Sequence, residues 1–230
     1  PVQPDSPAVR RLYPSANTAA YSFDPLIGYR QCDTLIPGIG YWLKYRESAD
    51  TVFIAGVARL ADTLNVREGW NLIGTLSSPI GAYTVDSDPP GITTGLFYGY
   101  NRGYFIADTL IPGEGYWIRT SQDGKLALDA SSPATAFKRT MRTEFTDRLA
   151  AANVIRVGDH AGNMASVFYL GTTESDDSST AGYLFELPPT PPGGEFDARF
   201  ASRRMLETVG EGLTREIPIL ISSPRYPVSL

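Results

Sequence analysis

Three Asp-Thr pairs, Asp33-Thr34, Asp62-Thr63 and Asp108-Thr109, are the first residues of this chain that suggest chemistry. They invite an aspartic-protease reading, in which two carboxylates in close contact share one proton. That motif wants a small residue, usually glycine, after the pair, and here Leu35, Leu64 and Leu110 follow instead. A side-chain oxygen closing a turn ahead of an apolar strand is the better account. His160 is the single histidine and Cys32 the single cysteine. A Ser-His-Asp triad would have to use His160, which Asp159 cannot orient merely by being adjacent, and no Gly-x-Ser-x-Gly elbow exists. The stretch Asp159–Asn163 reads as a turn between two strands. One histidine and one cysteine exclude a conventional zinc site and an intramolecular disulfide. Asp86-Ser87-Asp88 and Glu174-Ser175-Asp176-Asp177 offer hard oxygen ligands for calcium. Neither matches an EF-hand or a Gly-Asp-rich nonapeptide repeat, so both are expected to be solvated loops. No catalytic residue, metal or cofactor is expected.

The aromatic residues are the better candidates for a site. In Gly115-Tyr116-Trp117-Ile118-Arg119, strand alternation sends Tyr116 and Ile118 to one face and Trp117 and Arg119 to the other. Tyr41, Trp42, Leu43 and Lys44 reproduce that pattern. A tryptophan beside a cation is either an exposed sugar-stacking platform or a ring covered by the Arg or Lys stem. The carbohydrate reading uses Trp42, Trp117, Tyr98, Tyr100 and Tyr104. Packing of a core or between sheets is the favoured alternative.

The elements that position these residues come from a duplication. Asp33-Thr34-Leu35-Ile36-Pro37-Gly38-Ile39-Gly40-Tyr41-Trp42 returns as Asp108-Thr109-Leu110-Ile111-Pro112-Gly113-Glu114-Gly115-Tyr116-Trp117, identical at nine of ten positions and offset by 75 residues. An internal repeat of this length sets the architecture before any other signal. The ungapped alignment lays Tyr21–Tyr45 over Leu96–Thr120, and Cys32 over Ala107, which suggests a small buried residue. Short aromatic and β-branched runs between Gly, Pro and Asp are strand signals. Strands are expected at Ala20–Phe23, Tyr41–Tyr45, Val52–Val57, Trp70–Leu76, Leu96–Tyr100, Tyr104–Ala107, Tyr116–Thr120 and Leu126–Leu128. Tyr100–Tyr104 reads as a hairpin with Asn101 and Gly103 suited to positive φ. Pro112-Gly113 reads as a type II turn. The second copy opens with Gly69-Trp70-Asn71-Leu72-Ile73-Gly74, whose counterpart falls before residue 1. The first copy is therefore expected to lack its opening strand or to take one from elsewhere in a parent polypeptide, by β-augmentation. A strand edge left open there is an aggregation hazard.

Asp129–Thr135 is a small-residue linker, and the repeat is not seen beyond it. Asn153–Val157, Ser166–Leu170, Tyr183–Leu187, Phe196–Phe200, Glu216–Ser222 and Tyr226–Leu230 read as strands of a second β unit. Between them, Leu187–Gly194 holds four prolines and forms an extended crossover rather than a ladder strand. The net charge of −5 lacks the basic footprint that nucleic acid requires. No apolar run is long enough to span a membrane as a helix. The chain opens at Pro1 without a signal peptide, as expected of a mature or trimmed piece of something longer.

Together, the Gly69–Gly74 strand, the paired Asp-Thr-Leu-x-Pro-Gly-x-Gly-Tyr-Trp and the stretch Glu186–Phe200 resemble a region of long surface proteins in bacteria that use type IX secretion. The resemblance covers most of the chain. It implies a stalk just before the C-terminal sorting domain, at the outer cell surface, and brings no catalytic residues with it. The chain reaches Leu230 with no sorting domain.

The expected fold is all-β, a tandem pseudo-repeat domain followed by a β-sandwich-like domain. The first covers residues 1–130, with copies at about 1–60 and 69–130, and the second covers 131–230. The expected role is that of a non-catalytic extracellular structural or interaction segment, with a protein partner or the rest of its parent polypeptide bound. The alternatives are a carbohydrate-binding module holding a glycan and an accessory subunit docked on a larger surface complex.

Overall fold

The structure is a computed structural model that describes residues 2–45, 52–93, 96–132, 146–172, 185–210 and 216–230. It is all-β, as its turn-punctuated aromatic runs require, and it divides into two units. Unit 1 holds Pro1–Gly99 and Ile106–Lys138, and unit 2 holds Tyr100–Phe105 and Arg139–Leu230.

The first thirteen strands are β1 (Val2–Pro4), β2 (Ala20–Asp24), β3 (Gly28–Cys32), β4 (Gly56–Ala58), β5 (Ala61–Val66), β6 (Gly69–Ile73), β7 (Ile80–Gly81), β8 (Asp86–Asp88), β9 (Phe97–Tyr100), β10 (Tyr104–Ala107), β11 (Thr109–Leu110), β12 (Tyr116–Thr120) and β13 (Gly124–Asp129), all in unit 1 except for Tyr100, Tyr104 and Phe105. Four of these strands form a sheet in the order β10-β9-β12-β6. Antiparallel register there sets Tyr116 against Ile73 and Ile118 against Asn71 on one side of β12, and Trp117 against Tyr98 on the other. A second sheet has the order β5-β13-β8, and β2 and β3 make a hairpin. Leu64 and Val66 of β5 and Leu126 and Leu128 of β13 alternate inward onto one buried cluster with Ile73, Leu110, Tyr116 and Ile118. Thirteen of its fifteen members lie in the second copy, and Leu64 and Val66 come from β5 just before it. Among the described residues of the first copy the buried apolar side chains are Val9 and Ala20, while Leu26, Ile27, Phe53 and Val57 are exposed.

Unit 2 contains β14 (Asn153–Asp159), β15 (Met164–Thr172), β16 (Asp197–Phe200), β17 (Leu206–Gly210), β18 (Ile219–Ser222) and β19 (Val228–Ser229). One sheet has the order β17-β15-β14-β19, with β15 and β17 parallel, and the other pairs β16 with β18. Val157 of the first sheet and Ala198 of the second share a core with Phe196, Ile155, Ile219 and Ile221, a sandwich-like arrangement. The Asp159–Asn163 stretch is the turn of the β14–β15 hairpin, as its composition indicates.

Several expectations are corrected. Tyr41–Tyr45 is not a strand, since only Trp42 and Tyr45 take part in isolated bridges. Residues 52–55 are not a strand either, and pairing begins at Gly56. Asp62-Thr63 sits inside β5 rather than in a turn, with Asp62 paired to Arg59 at 2.6 Å. Residues 185–187 are joined only by a bridge from Glu186 to Arg204, and Tyr183 and Leu184 lie outside the described residues. At the hairpin tip the left-handed residue is Arg102, with φ of 57°. Gly103 is needed for another reason, because a Cβ there would run into the carbonyl oxygen of Met164.

Candidate functional site

The repeated decapeptide builds the same local structure twice. In each copy Pro-Gly makes a tight turn, with Gly38 at φ 86° and Gly113 at φ 89°, the left-handed conformation that glycine adopts without steric cost. Ile39 N–H closes onto Ile36 C=O and Glu114 N–H onto Ile111 C=O, both at 3.2 Å. The tyrosine hydroxyl then reaches back to hold the loop. Tyr41 Oη accepts a hydrogen bond from Ile36 N–H at 2.9 Å, and Tyr116 Oη accepts one from Ile111 N–H at the same distance. In the second copy Tyr116 also donates to Glu114 Oε2 at 2.8 Å. Ile39 stands in the corresponding position of the first copy and supplies no such acceptor. Burial, and then the Glu114 carboxylate, push the Tyr116 hydroxyl up to about 12, against a partial offset from the Ile111 amide.

The two copies are joined through these residues. Gly40 N–H donates to Leu72 C=O at 3.0 Å, Gly74 N–H donates to Gly38 C=O at 2.9 Å, and Ile39 lies opposite Ile73. Strand β6 therefore carries β12 on one side and the first decapeptide on the other. The approach is close enough that a Cβ at Gly40 would stand 2.6 Å from Ile73 C=O. Above this seam, Trp117 is ringed by aromatic edges, with Phe23 at 4.8 Å, Tyr29 at 6.3 Å and Trp70 at 6.3 Å between centroids. Trp70 in turn meets Tyr98 at 5.7 Å. Edge-to-face pairs of this kind contribute roughly 0.5–1.5 kcal/mol each beyond burial.

Beside the first decapeptide lies a cavity of about 240 Å³, whose walls include Leu12, Leu35, Tyr41, Leu43, Tyr45 and Ile54. Its environment is apolar enough that burial raises the hydroxyl pKa of both Tyr13 and Tyr41. Tyr13 and Tyr45 meet edge to face across 6.2 Å. Glu114, from the second decapeptide, also borders it. Sequence reasoning about chemistry passed over Leu35, Leu43 and Ile54. The signal was present in the 75-residue alignment, which sets Leu35 on Leu110 and Leu43 on Ile118, two of the most deeply buried residues of the second copy.

The five aromatic candidates do not form one platform. Trp117 and Tyr98 are each 1% exposed, so neither ring offers a face to a sugar. Trp42 is half-buried and exchanges backbone hydrogen bonds with Tyr21 at 2.8 and 2.9 Å. Tyr100 and Tyr104 stack edge to face at 5.2 Å in unit 2, with their hydroxyls donated to Phe196 C=O at 2.9 Å and Pro189 C=O at 2.5 Å. The Arg199 guanidinium covers Tyr104 at 5.8 Å from the ring centroid. Arg199 is 4% exposed and grips Asp197 with two bonds of 2.6 and 2.8 Å, while a third at 2.6 Å reaches Pro188 C=O. The Leu187–Gly194 crossover is thus latched by Tyr104 and Arg199 through its first two prolines.

The remaining titratable candidates have structural partners. The Asp159 carboxylate accepts from the amides of Ala161, Asn163 and Arg225 and from the Asn163 side chain, at 3.0–3.2 Å. Although desolvation raises its pKa, those hydrogen bonds together hold it below the usual carboxylate value. Cys32 is half-buried, unlike the fully buried Ala107 it aligns with, and lies 3.2 Å from Ser22 Oγ. Asp86, Ser87 and Asp88 pair with β13 as an edge strand, and Glu174–Asp177 lies outside the described residues. Among the described residues no three His, Cys, Asp or Glu side chains group to hold a metal, and no helix is long and apolar enough to cross a membrane. No family model, curated protein or solved structure matches the chain.

Proposed function

We propose that this chain is a non-catalytic extracellular structural or interaction segment of a larger bacterial surface protein, of the kind exported by type IX secretion. The observation that carries the reading is the shared bond from Ile N–H to Tyr Oη in the two decapeptides, at 2.9 Å in each. The residues that the sequence repeats are the ones that make turns, close loops and let backbones approach. A repeat that spends its identical residues on backbone geometry preserves a shape and a spacing rather than a reaction centre. The resemblance to stalk regions of surface proteins supports the same reading, and the extracellular location rests on that resemblance.

The test is where the chain sits in its source bacterium. Antibody against the 230-residue chain should label intact cells, and protease added outside should remove the label. Labelling that needs permeabilised cells, in a wild-type strain, contradicts the proposal.

A further inference from the structure

Among the described residues the first copy leaves the backbone edge at Tyr41 and Leu43 without a backbone partner beside an apolar hollow, and the second copy has the same edge filled by β6. In the second copy, Tyr116 and Ile118 of β12 face β6, opposite Ile73 and Asn71. Their counterparts are Tyr41 and Leu43. Trp42 between them already exchanges hydrogen bonds with Tyr21, so in extended backbone Tyr41 and Leu43 present their peptide groups to the opposite edge. Neither the Tyr41 nor the Leu43 N–H has a backbone partner among the described residues.

The side chains repeat the contrast. Leu110, Tyr116 and Ile118 are 0–1% exposed because Leu64, Val66 and Ile73 of β5 and β6 pack over them. Leu35, Tyr41 and Leu43 are half-buried and border the cavity of about 240 Å³ instead. That volume suits a few aliphatic side chains and is walled mainly by apolar groups. The strand β6 of this chain is not free to fill it, since its two edges are taken by β12 and by residues 38–40.

We propose that the Tyr41–Leu43 edge and its cavity form a docking site for an extended apolar strand of the Gly-Trp-Asn-Leu-Ile type, supplied by a separate stretch of polypeptide. The incoming strand pairs antiparallel in the register of β6, its isoleucine opposite Tyr41 and directed into the cavity over Leu35 and Leu43. Main-chain hydrogen bonds supply affinity, and the cavity selects an aliphatic residue at alternate positions. This inference deepens the interaction part of the proposed function and rests on it. It names the partner's chemistry, whereas the cell-labelling experiment tests location alone, so each can fail without the other.

The probe is a fluorescein-labelled peptide with the sequence of Gly69–Leu76, Gly-Trp-Asn-Leu-Ile-Gly-Thr-Leu, titrated into the full 230-residue chain. The control is the same peptide N-methylated at alternate amides on its pairing edge, which leaves the protein untouched. The expected result is saturable one-to-one binding, at least tenfold weaker for the methylated peptide. Hydrogen exchange at the Tyr41 and Leu43 amides should slow at least tenfold on binding. Three outcomes overturn the proposal: no binding at millimolar peptide, equal binding of the methylated peptide, or protection that arises elsewhere. A peptide-independent dimer that protects Tyr41 and Leu43 by itself also overturns it, because the occupant would then be a second copy of this chain.

Discussion

At the scale of single residues, Tyr41 and Tyr116 show how one side chain takes on different weight in two copies of one sequence. Each hydroxyl holds its Pro-Gly loop, but only Tyr116 donates to a carboxylate, and bonds to charged groups are the stronger class. Tyr116→Phe is expected to cost about 1.5–3 kcal/mol and Tyr41→Phe about 0.5–1.5 kcal/mol, read from urea denaturation midpoints at neutral pH. Equal losses would show that Glu114 contributes nothing to the loop. The Tyr116 hydroxyl is raised to about 12 in the folded chain, against about 10 when unfolded. A raised pKa stabilises fully below the unfolded value, so this contribution is complete up to about pH 10 and fades toward pH 12. Tyr116→Phe should flatten that alkaline slope. Asp159 behaves oppositely, because its folded pKa is lowered by the amides it accepts from. Its contribution is present above about pH 4 and is lost as acid takes the carboxylate through its lowered value. Asp159→Asn should lower the midpoint at pH 7 and give a shallower loss of stability between pH 5 and 2, measured by the same denaturation.

At the scale of elements, the aligned glycines Gly40 and Gly115 should respond differently to the same change. A Cβ on Gly40 meets the Ile73 carbonyl oxygen at 2.6 Å, whereas one on Gly115 finds nothing closer than 3.5 Å. Gly40→Ala must separate the first decapeptide from β6 and is expected to destabilise by at least about 2 kcal/mol, an overpacking cost. Gly115→Ala should stay within about 1 kcal/mol of wild type. In unit 2, Arg199→Met leaves the Asp197 carboxylate buried without its guanidinium, and Pro188 C=O without a donor. A loss of about 3–5 kcal/mol in denaturant unfolding is expected.

The same elements mark how far the sequence could be read. The strands expected at Leu96–Tyr100, Tyr104–Ala107 and Tyr116–Thr120 were legible because they are short aromatic-rich runs set off by Gly, Asn, Asp and Ser, and pairing is observed over Phe97–Tyr100, Tyr104–Ala107 and Tyr116–Thr120. Tyr41–Tyr45 opens with the same Tyr-Trp pair, followed by similar Leu43 and Lys44, and yet is no strand, because pairing depends on a neighbour that local pattern cannot supply. Strand β5 was hidden by Asp62-Thr63, which resembles turn chemistry until β13 is seen to pair with it. The aromatic candidates were legible as rings with two fates, and only packing decides between them. Phe23 and Tyr29 come from one copy and close over Trp117 of the other, a contact that no local window contains. The cavity was legible only through the alignment, as the place where a leucine pattern fully buried in one copy is only half-buried in the other.

For the whole molecule, the contrast between the copies outweighs any single residue. One decapeptide is set in a core of fifteen buried side chains from Leu64 to Leu128, and its twin stands at the margin of that core. Stability within a chain follows buried apolar contacts, so the first copy should open at lower free energy than the second. On the docking proposal, the second copy already holds the strand that the first copy takes from other polypeptide. Amide hydrogen exchange on the free 230-residue chain tests this most directly, by comparing Tyr41 and Leu43 with Tyr116 and Ile118. The account predicts that the first pair exchanges at least about 100-fold faster, because neither amide has a backbone partner among the described residues and the second pair is bound to β6. Equal protection of the two pairs would contradict it.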